Sequence, residues 1–271
     1  MSTERFEGSE NYIADEQLLS DVNAAIILQK PLLVRGEPGT GKTMLAHAIS
    51  QTLGKELITW HVKSTTQAKE GLYTYDVVQR LNDSRFGGGD VSSIRSYIKM
   101  GPLGQAFSSN EQVVLLIDEI DKADVEFPND LLRELDEMAF FIPELDETVK
   151  AKKRPIVLIT SNAEKELPDA FLRRCLFHYI EFPNPERMKT IIDSHFPNLD
   201  IELVEASILR FYGLRDVHGL RKKPSTSELL DWLMVLARSG AKAEDIANRM
   251  PFMGTLIKRE SDLSIVKKRR R

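Results

Sequence analysis

Short apolar runs of strand length alternate with amphipathic helical stretches over the first two thirds of the chain. The run Val113–Ile117 is apolar throughout, which is typical of a strand whose two faces are both buried. Strands that alternate with helices predict a parallel sheet with helices on both faces. The predicted strands are Leu32–Arg35, Leu57–Val62, Val113–Ile117, Ile156–Thr160 and Phe177–Phe182, and the helices among them include Thr43–Leu53 and Asn129–Met138.

The pattern changes after Pro183, because the later apolar positions recur at helical spacing and no further strand is predicted. Ser225 and Glu228 form a capping box at the start of one of these helices. We therefore predict an α/β domain at residues 1–183 and a small helical domain at residues 184–271. The predicted helices of the second domain are Glu186–Phe196, Ile201–Tyr212, Ser225–Arg238 and Ala243–Met250.

Two segments of the first domain do not fit the alternation of strands and helices. A glycine-rich run begins at Gly87 and predicts a flexible stretch that leads to Gly101–Pro102. Short β-prone runs flank the acidic segment Glu144–Glu147, which predicts a hairpin at about residues 140–154.

Composition and charge limit the classes of function that fit the chain. The chain has 271 residues, a formal net charge of −4 and one cysteine. A mildly acidic chain makes general nucleic-acid binding an unlikely function, and a lone cysteine excludes a disulfide framework. No leader pattern opens the chain and no apolar run approaches the roughly 20 residues that span a bilayer, so we expect a cytoplasmic protein. The basic tail Lys267–Arg271 is expected to be a frayed, solvated end.

A glycine-rich loop joins the first predicted strand to the helix that follows it. Glycines let the backbone turn its N–H groups toward a phosphate, and the start of the next helix adds partial positive charge. Lys42 is expected to reach the β- and γ-phosphates, and the Thr43 hydroxyl to ligate Mg²⁺. The loop fits the Walker A pattern, and its predicted phosphate-binding residues are Gly36, Glu37, Pro38, Gly39, Thr40, Gly41, Lys42 and Thr43.

Two acidic residues, Asp118 and Glu119, follow the buried strand Val113–Ile117. The carboxyl end of a parallel strand opens at the edge of the sheet where ligands bind. Asp118 is expected to hold Mg²⁺, mainly through water, and Glu119 to polarise the attacking water. This Walker B pattern, together with the Walker A loop, predicts an enzyme that hydrolyses a nucleoside triphosphate.

Polar residues at two later positions are candidates for the same chemistry. Asn162 follows the strand Ile156–Thr160, where it either bridges the γ-phosphate and the water or caps an ordinary turn. The spacing leaves both roles open, and the Walker motifs favour the first. Arg173 and Arg174 end a predicted helix, where they either complement the helix dipole or serve as an arginine finger for a neighbouring subunit.

The order of these motifs resembles that of the AAA+ ATPases and, within them, the MoxR branch. The glycine-rich stretch 87–107 is similar to an insert that this branch carries in its second helix. The run Phe141–Glu144, with Arg154 and Pro155 after it, looks like the branch's hairpin before the sensor strand. The segment Arg221–Glu228 is similar to a subgroup associated with carbon monoxide dehydrogenase maturation. The resemblance implies a P-loop AAA+ fold with a helical lid.

The resemblance also implies a mode of action. Such proteins form ring hexamers, hydrolyse ATP between subunits and remodel client complexes, often with a partner that bears a von Willebrand factor A domain. Carried over to matching positions, Lys42 and Thr43 bind phosphate and Mg²⁺, Asp118 holds Mg²⁺ and Glu119 activates water. Asn162 would be the first sensor. Arg174 would be the finger, with Arg173 as the second choice.

The chain departs from the MoxR pattern at the start of the third lid helix. Many relatives have an arginine there, the second sensor, but this chain has Ser225–Ser227. Arg221, Lys222 or Lys223 would have to reach the γ-phosphate instead, unless they form only a solvated basic turn. The departure bears on how the lid is coupled to hydrolysis.

Three other functions stay open. A monomeric P-loop kinase would not need Glu119 as a water activator. A DNA-linked AAA+ protein, such as a clamp loader or a motor, is opposed by the acidic balance but has possible contacts in Lys150–Arg154 and Lys267–Arg271. A binding module that nucleotide only switches would not need the complete catalytic set.

Overall fold

A computed structural model describes residues 5–9, 12–87 and 90–269. The chain divides into two compact units. The α/β unit contains the residues up to Gly36 together with Lys42–Ile180. The helical unit contains Glu37–Gly41 together with the residues from Glu181 onward. The polypeptide therefore passes from one unit to the other at both ends of the short segment Glu37–Gly41.

Nine strands lie in the α/β unit, within the part of the chain that the structure describes. Five of them form one parallel sheet, and the other four form two antiparallel pairs. They are β1 (Leu32–Gly36), β2 (Leu57–His61), β3 (Tyr73–Tyr75), β4 (Ile98–Met100), β5 (Val114–Asp118), β6 (Ala139–Ile142), β7 (Glu147–Lys150), β8 (Ile156–Ser161) and β9 (Leu176–Ile180).

The strand order of the parallel sheet is β2-β5-β8-β1-β9. All four neighbouring pairs run parallel, so the carboxyl ends of the strands share one edge. Side chains alternate between two cores: Leu115 and Ile117 pack in one, whereas Val114 and Leu116 pack in the other with Leu45. The predicted parallel sheet with helices on both faces is confirmed.

The described residues also contain thirteen α-helices, eight in the α/β unit and five in the helical unit. Those of the α/β unit are α1 (Glu16–Leu28), α2 (Lys42–Leu53), α3 (Ala68–Leu72), α4 (Val77–Phe86), α5 (Pro102–Ser108), α6 (Phe127–Asp130), α7 (Leu132–Glu137) and α8 (Asp169–Leu172). Those of the helical unit are α9 (Pro185–His195), α10 (Ile201–Arg215), α11 (Thr226–Arg238), α12 (Ala243–Asn248) and α13 (Glu260–Arg269). Short 3₁₀ turns occur at Ile94–Tyr97, Ile120–Lys122 and Met253–Thr255.

The helical unit has a core of its own. Trp232, Phe211 and Leu229 are fully buried in it. The predicted capping box is present at the start of α11, where Ser225 accepts from the Glu228 N–H and the Glu228 carboxylate accepts from the Ser225 N–H. No helix among the described residues is long and apolar enough to cross a membrane.

Three predictions from the pattern differ from the structure, and one helix was not predicted. The single helix Asn129–Met138 is wrong: α6 and α7 are separated at Leu131, and Met138 takes a left-handed φ of 49°. The stretch after Gly87, which was predicted to be flexible, instead contains β4. This strand pairs with β3, which lies earlier in the chain. The frayed tail is wrong for Lys267–Arg269, which lie in α13, and residues 270–271 lie outside the described residues. Helix α1, whose first turn Asp15 caps, was not predicted.

Candidate functional site

The Walker A loop connects β1 to α2. Gly39 and Gly41 have φ values of 79° and 88°, which side chains with a Cβ rarely adopt, so the loop needs glycine at these positions. The Thr40 hydroxyl donates to the Glu37 carbonyl at 2.9 Å and tightens the turn. The Lys42 ammonium is buried and donates to the Gly36 carbonyl at 2.9 Å, which holds its charge at the base of the loop.

The two residues predicted to hold Mg²⁺ lie side by side. The Thr43 hydroxyl donates to Asp118 Oδ1 at 3.0 Å, and the Thr160 hydroxyl donates to the same oxygen at 2.7 Å. Asp118 Oδ2 lies 3.2 Å from His61 Nδ1. A carboxylate beside a hydroxyl supplies the hard oxygen ligands that Mg²⁺ prefers. The donor set therefore fits that ion.

No group of three or more His, Cys, Asp or Glu side chains in the described ranges is arranged to hold a metal ion by itself.

Glu119 stands at a sharp turn directly after β5. Its φ of 60° and ψ of 51° are left-handed, which directs the chain away from the strand into the following 3₁₀ turn. Its N–H donates to the Thr160 hydroxyl at 2.8 Å, and Oε1 accepts from Asn162 Nδ2 at 3.0 Å. Oε2 is paired with Lys122. That hydrogen bond to Glu119 raises the pKa of Lys122, against the opposing effect of desolvation.

Asp121 was not predicted as a site residue, although it is buried beside the site. Its carboxylate accepts from the N–H groups of Asn162 at 3.3 Å and of Glu164 at 2.8 Å. It therefore fixes the loop after β8 that carries Asn162. The signal in the sequence was a third acid, two positions after Glu119.

The two candidate finger residues lie just after α8, not within it as predicted. Helix α8 ends at Leu172, and Arg173 is exposed. Arg174 donates from Nε to Asp136 Oδ2 at 2.5 Å and from Nη1 to the Ala170 carbonyl at 2.8 Å. Both arginines line an open cleft of about 370 Å³ that Arg154 and Lys30 also border.

A sequence profile of the ATPase family associated with various cellular activities (AAA) matches residues 32–184, which is more than half of the chain. The chain belongs to the AAA family of ATPases. The matched span contains the Walker A loop, the Asp118–Glu119 pair and the loop of Asn162.

This AAA protein is similar to two curated proteins, both called Midasin. It is 25% identical over 191 residues to the one from Dictyostelium discoideum, a match that covers 68% of this chain. It is 26% identical over 183 residues to the one from Giardia intestinalis, a match that covers 65% of this chain. The match spans 3% of the length of each relative.

Among solved structures, the AAA protein is similar to the RuvB Holliday junction branch migration motor of Thermotoga maritima. The TM-score is 0.55 at 16% sequence identity, over 88% of this chain and 68% of that one. At this identity the likeness concerns the fold alone, and it agrees with a P-loop AAA+ architecture.

The single cysteine of the AAA protein is Cys175. Burial raises the pKa of the Cys175 thiol to about 12, and the charge of Asp136 adds to the effect. The thiolate that a cysteine nucleophile needs is therefore disfavoured at neutral pH, as expected for a packing residue.

The basic turn 221–223, which precedes α11, makes contacts with Asp262 and Glu228. The N–H groups of Arg221 and Lys222 both donate to the Asp262 carboxylate, each at 3.1 Å. The Lys222 ammonium pairs with Glu228 Oε1 at 2.8 Å, whereas the Lys223 side chain is exposed. Lys222 thus neutralises the carboxylate of the capping box.

Proposed function

We propose that this AAA protein hydrolyses ATP and uses the cycle to remodel a protein client. The observation that carries the proposal is the hydrogen-bonded cluster at the carboxyl edge of the sheet, in which Thr43 meets Asp118 at 3.0 Å and Asn162 meets Glu119 at 3.0 Å. These side chains come from three separate stretches of sequence, and their roles in ATP hydrolysis are complementary.

In this proposal the N–H groups of the loop Gly36–Thr43 cradle the phosphates and the Lys42 ammonium neutralises them. Thr43 and Asp118 would hold Mg²⁺, which when bound offsets the negative charge of the phosphates. Thr160 keeps the Asp118 carboxylate in place through its hydroxyl.

Glu119 is proposed to orient the attacking water and to accept its proton. Asn162 holds Glu119 Oε1 and so determines where the carboxylate points. Lys122 must leave Oε2 before that oxygen can act as a base, because an ion-paired carboxylate is a weaker proton acceptor. Release of this pair is therefore part of the proposed cycle.

Arg174 is proposed to act on the nucleotide of a neighbouring subunit, because AAA proteins commonly assemble into rings. A hexamer is the proposed ring. Asp136 holds the guanidinium in place within the single chain, and a neighbour's phosphate would replace that carboxylate as the charged partner of Arg174.

The MoxR branch is the proposed subgroup, with a von Willebrand factor A domain protein as partner and a metalloenzyme complex in the cytoplasm as client. The support is the pair of additional ladders: β3 with β4, and the hairpin of β6 with β7. Strand β4 lies in the stretch 87–107 and the β6–β7 hairpin begins the segment at about residues 140–154, and these are the two segments in which we propose the inserts of the branch.

The test is steady-state ATP hydrolysis measured with particle mass across protein concentration. Wild-type turnover per subunit should rise as rings assemble. Glu119→Gln should bind ATP but lose turnover by about a hundredfold or more, since a positioned base contributes about 10²–10⁴ in rate. Arg174→Ala should assemble yet lose most activity, and mixing it with Glu119→Gln should restore part of the turnover.

Arg133→Ala is the matched control, since Arg133 is exposed and pairs only within α7 with Glu137. It should leave turnover unchanged. Loss of activity in Arg173→Ala instead of Arg174→Ala would move the finger by one residue. Turnover by a wild-type monomer that is indifferent to both arginines would contradict the ring mechanism and favour a monomeric P-loop enzyme.

A DNA-linked motor is the second candidate, because Lys267 and Lys268 are exposed on α13. Stimulation of turnover by duplex or single-stranded DNA would favour it. Turnover that is indifferent to DNA at low salt, where phosphate contacts are strongest, would exclude it.

A further inference from the structure

The tip of the Walker A loop packs against the start of α11. Glu37–Gly41 belongs to the helical unit, whereas Gly36 and Lys42 belong to the α/β unit. A Cβ added to Gly39 would lie 2.6 Å from Ser225 Cβ, so only glycine fits the space. The backbone at Gly39 therefore packs closely against Ser225, the residue that caps α11.

A second contact to the tip is an ion pair. Arg215, the last residue of α10, places Nη2 2.6 Å from Glu37 Oε2. Its guanidinium lies 3.3 Å from the centroid of the Phe182 ring, and Nη1 donates to the Pro224 carbonyl. The Arg215 side chain is 8% exposed and that of Glu37 is 42% exposed. The arginine is thus the fixed member of the pair.

Electrostatics gives this pair a consequence for nucleotide binding. A carboxylate within a loop that binds phosphates repels them, and the repulsion is strong where water is partly excluded. Arg215 supplies the opposite charge to Glu37. Within the basic turn 221–223, Lys222 pairs with Glu228, and the start of α11 carries no arginine.

We propose that Arg215 is a positioning residue of the nucleotide site. It neutralises Glu37 and fixes the tip of the Walker A loop, Glu37–Gly41, so that nucleotide affinity depends on this arginine. Through the Pro224 carbonyl it also connects the end of α10 to the residue before the α11 cap. The inference rests on the proposed ATP site.

The experiment is calorimetric titration of the full chain with MgADP and MgATP. Arg215→Gln should weaken binding of both nucleotides by about tenfold, the effect of losing one positive charge near the phosphates at an effective dielectric constant of about 20. Glu37→Gln should tighten binding. The double variant Glu37→Gln with Arg215→Gln should recover most of the affinity lost in Arg215→Gln.

Two further variants make the result decisive. Lys189→Gln, which breaks an exposed ion pair with Glu205 in the same unit, should bind like wild type. Arg215→Lys keeps the charge but not the planar group that stacks on Phe182, so it should rescue binding in part. The comparison of Arg215→Lys with Glu37→Gln remains informative if Arg215→Gln does not fold.

The outcomes separate this inference from the proposed function. Wild-type affinity in a folded Arg215→Gln, or weaker binding in Glu37→Gln, would overturn the positioning role while leaving the ATP site in place. A wild-type chain that binds neither MgADP nor MgATP would overturn the proposed function itself.

Discussion

Single buried carboxylates keep the site residues in place. Asp121 is 3% exposed and accepts two backbone N–H groups from the loop that bears Asn162. A buried charge needs such partners, because an unsatisfied one would cost several kcal/mol. The position of Asn162, and through it that of Glu119, therefore depends on a residue that is not proposed to touch the substrate.

We expect Asp121→Asn to loosen this loop. The amide keeps the shape but loses the charge, and hydrogen bonds to a charged group contribute about 1.5–3 kcal/mol, so the free energy of unfolding should fall by a similar amount. ATP turnover should fall while ATP binding persists. Urea denaturation and nucleotide titration measure the two effects.

The control is Asp124→Asn, because Asp124 is exposed and its carboxylate accepts only from the adjacent Val125 N–H among the contacts seen here. Its stability should change by no more than about 0.5 kcal/mol. Equal stability of the two variants would mean that Asp121 does not hold the loop through its charge.

At the scale of elements, close backbone approach decides how the short helices pack. Gly71 in α3 faces the Trp60 ring of β2, and a Cβ there would lie 2.3 Å from the ring. A Cβ added to Gly101 or Gly104 would lie still closer to backbone atoms of residues 70–72. These glycines allow α3, β4 and α5 to form one compact layer.

Gly71→Ala should destabilise the protein by about 1–3 kcal/mol, the usual effect of forcing an extra methyl group into a packed site. Gly213→Ala is the matched control. Gly213 lies inside α10 with nothing within 4 Å of the added Cβ, so alanine should stabilise by about 0.4–1 kcal/mol. Thermal and urea unfolding give both values, and a loss in Gly213→Ala equal to that in Gly71→Ala would refute the packing argument.

At the scale of the whole molecule, the two units have separate hydrophobic cores, and each unit contains one of the two tryptophans. Trp60 packs edge-on against Phe127 in the α/β unit. Trp232 is fully buried in the helical unit and donates to the Pro251 carbonyl. The fluorescence of a variant that keeps one tryptophan therefore reports the unfolding of the unit that contains it.

We expect Trp232→Phe and Trp60→Phe to show urea transitions with different midpoints, because chains with separate cores commonly depart from two-state unfolding. MgATP should raise the midpoint of the α/β unit, in which Thr43 and Asp118 of the proposed nucleotide site meet. Circular dichroism of the wild type should show both steps. Superimposed curves would indicate one cooperative unit instead.

The sequence by itself determined the α/β class, the positions of the five parallel strands and the Walker loops. These features are local: strand burial appears as an unbroken apolar run, and a phosphate loop needs Gly39, Gly41 and Lys42 at fixed spacing. The capping box of Ser225 and Glu228 was also readable, because both partners lie within one helical turn.

The tertiary structure decided which distant residues meet. The pairing of β3 with β4 and the ion pair between Glu37 and Arg215 join residues that no local pattern relates. The break of the predicted helix at Leu131 was likewise not visible in the local pattern. Glu37 and Arg215 are 178 positions apart, and only the packing of α10 brings them together. The physical reason is that periodicity records which face of an element is buried, whereas the partner of a buried charge is fixed by how the elements pack.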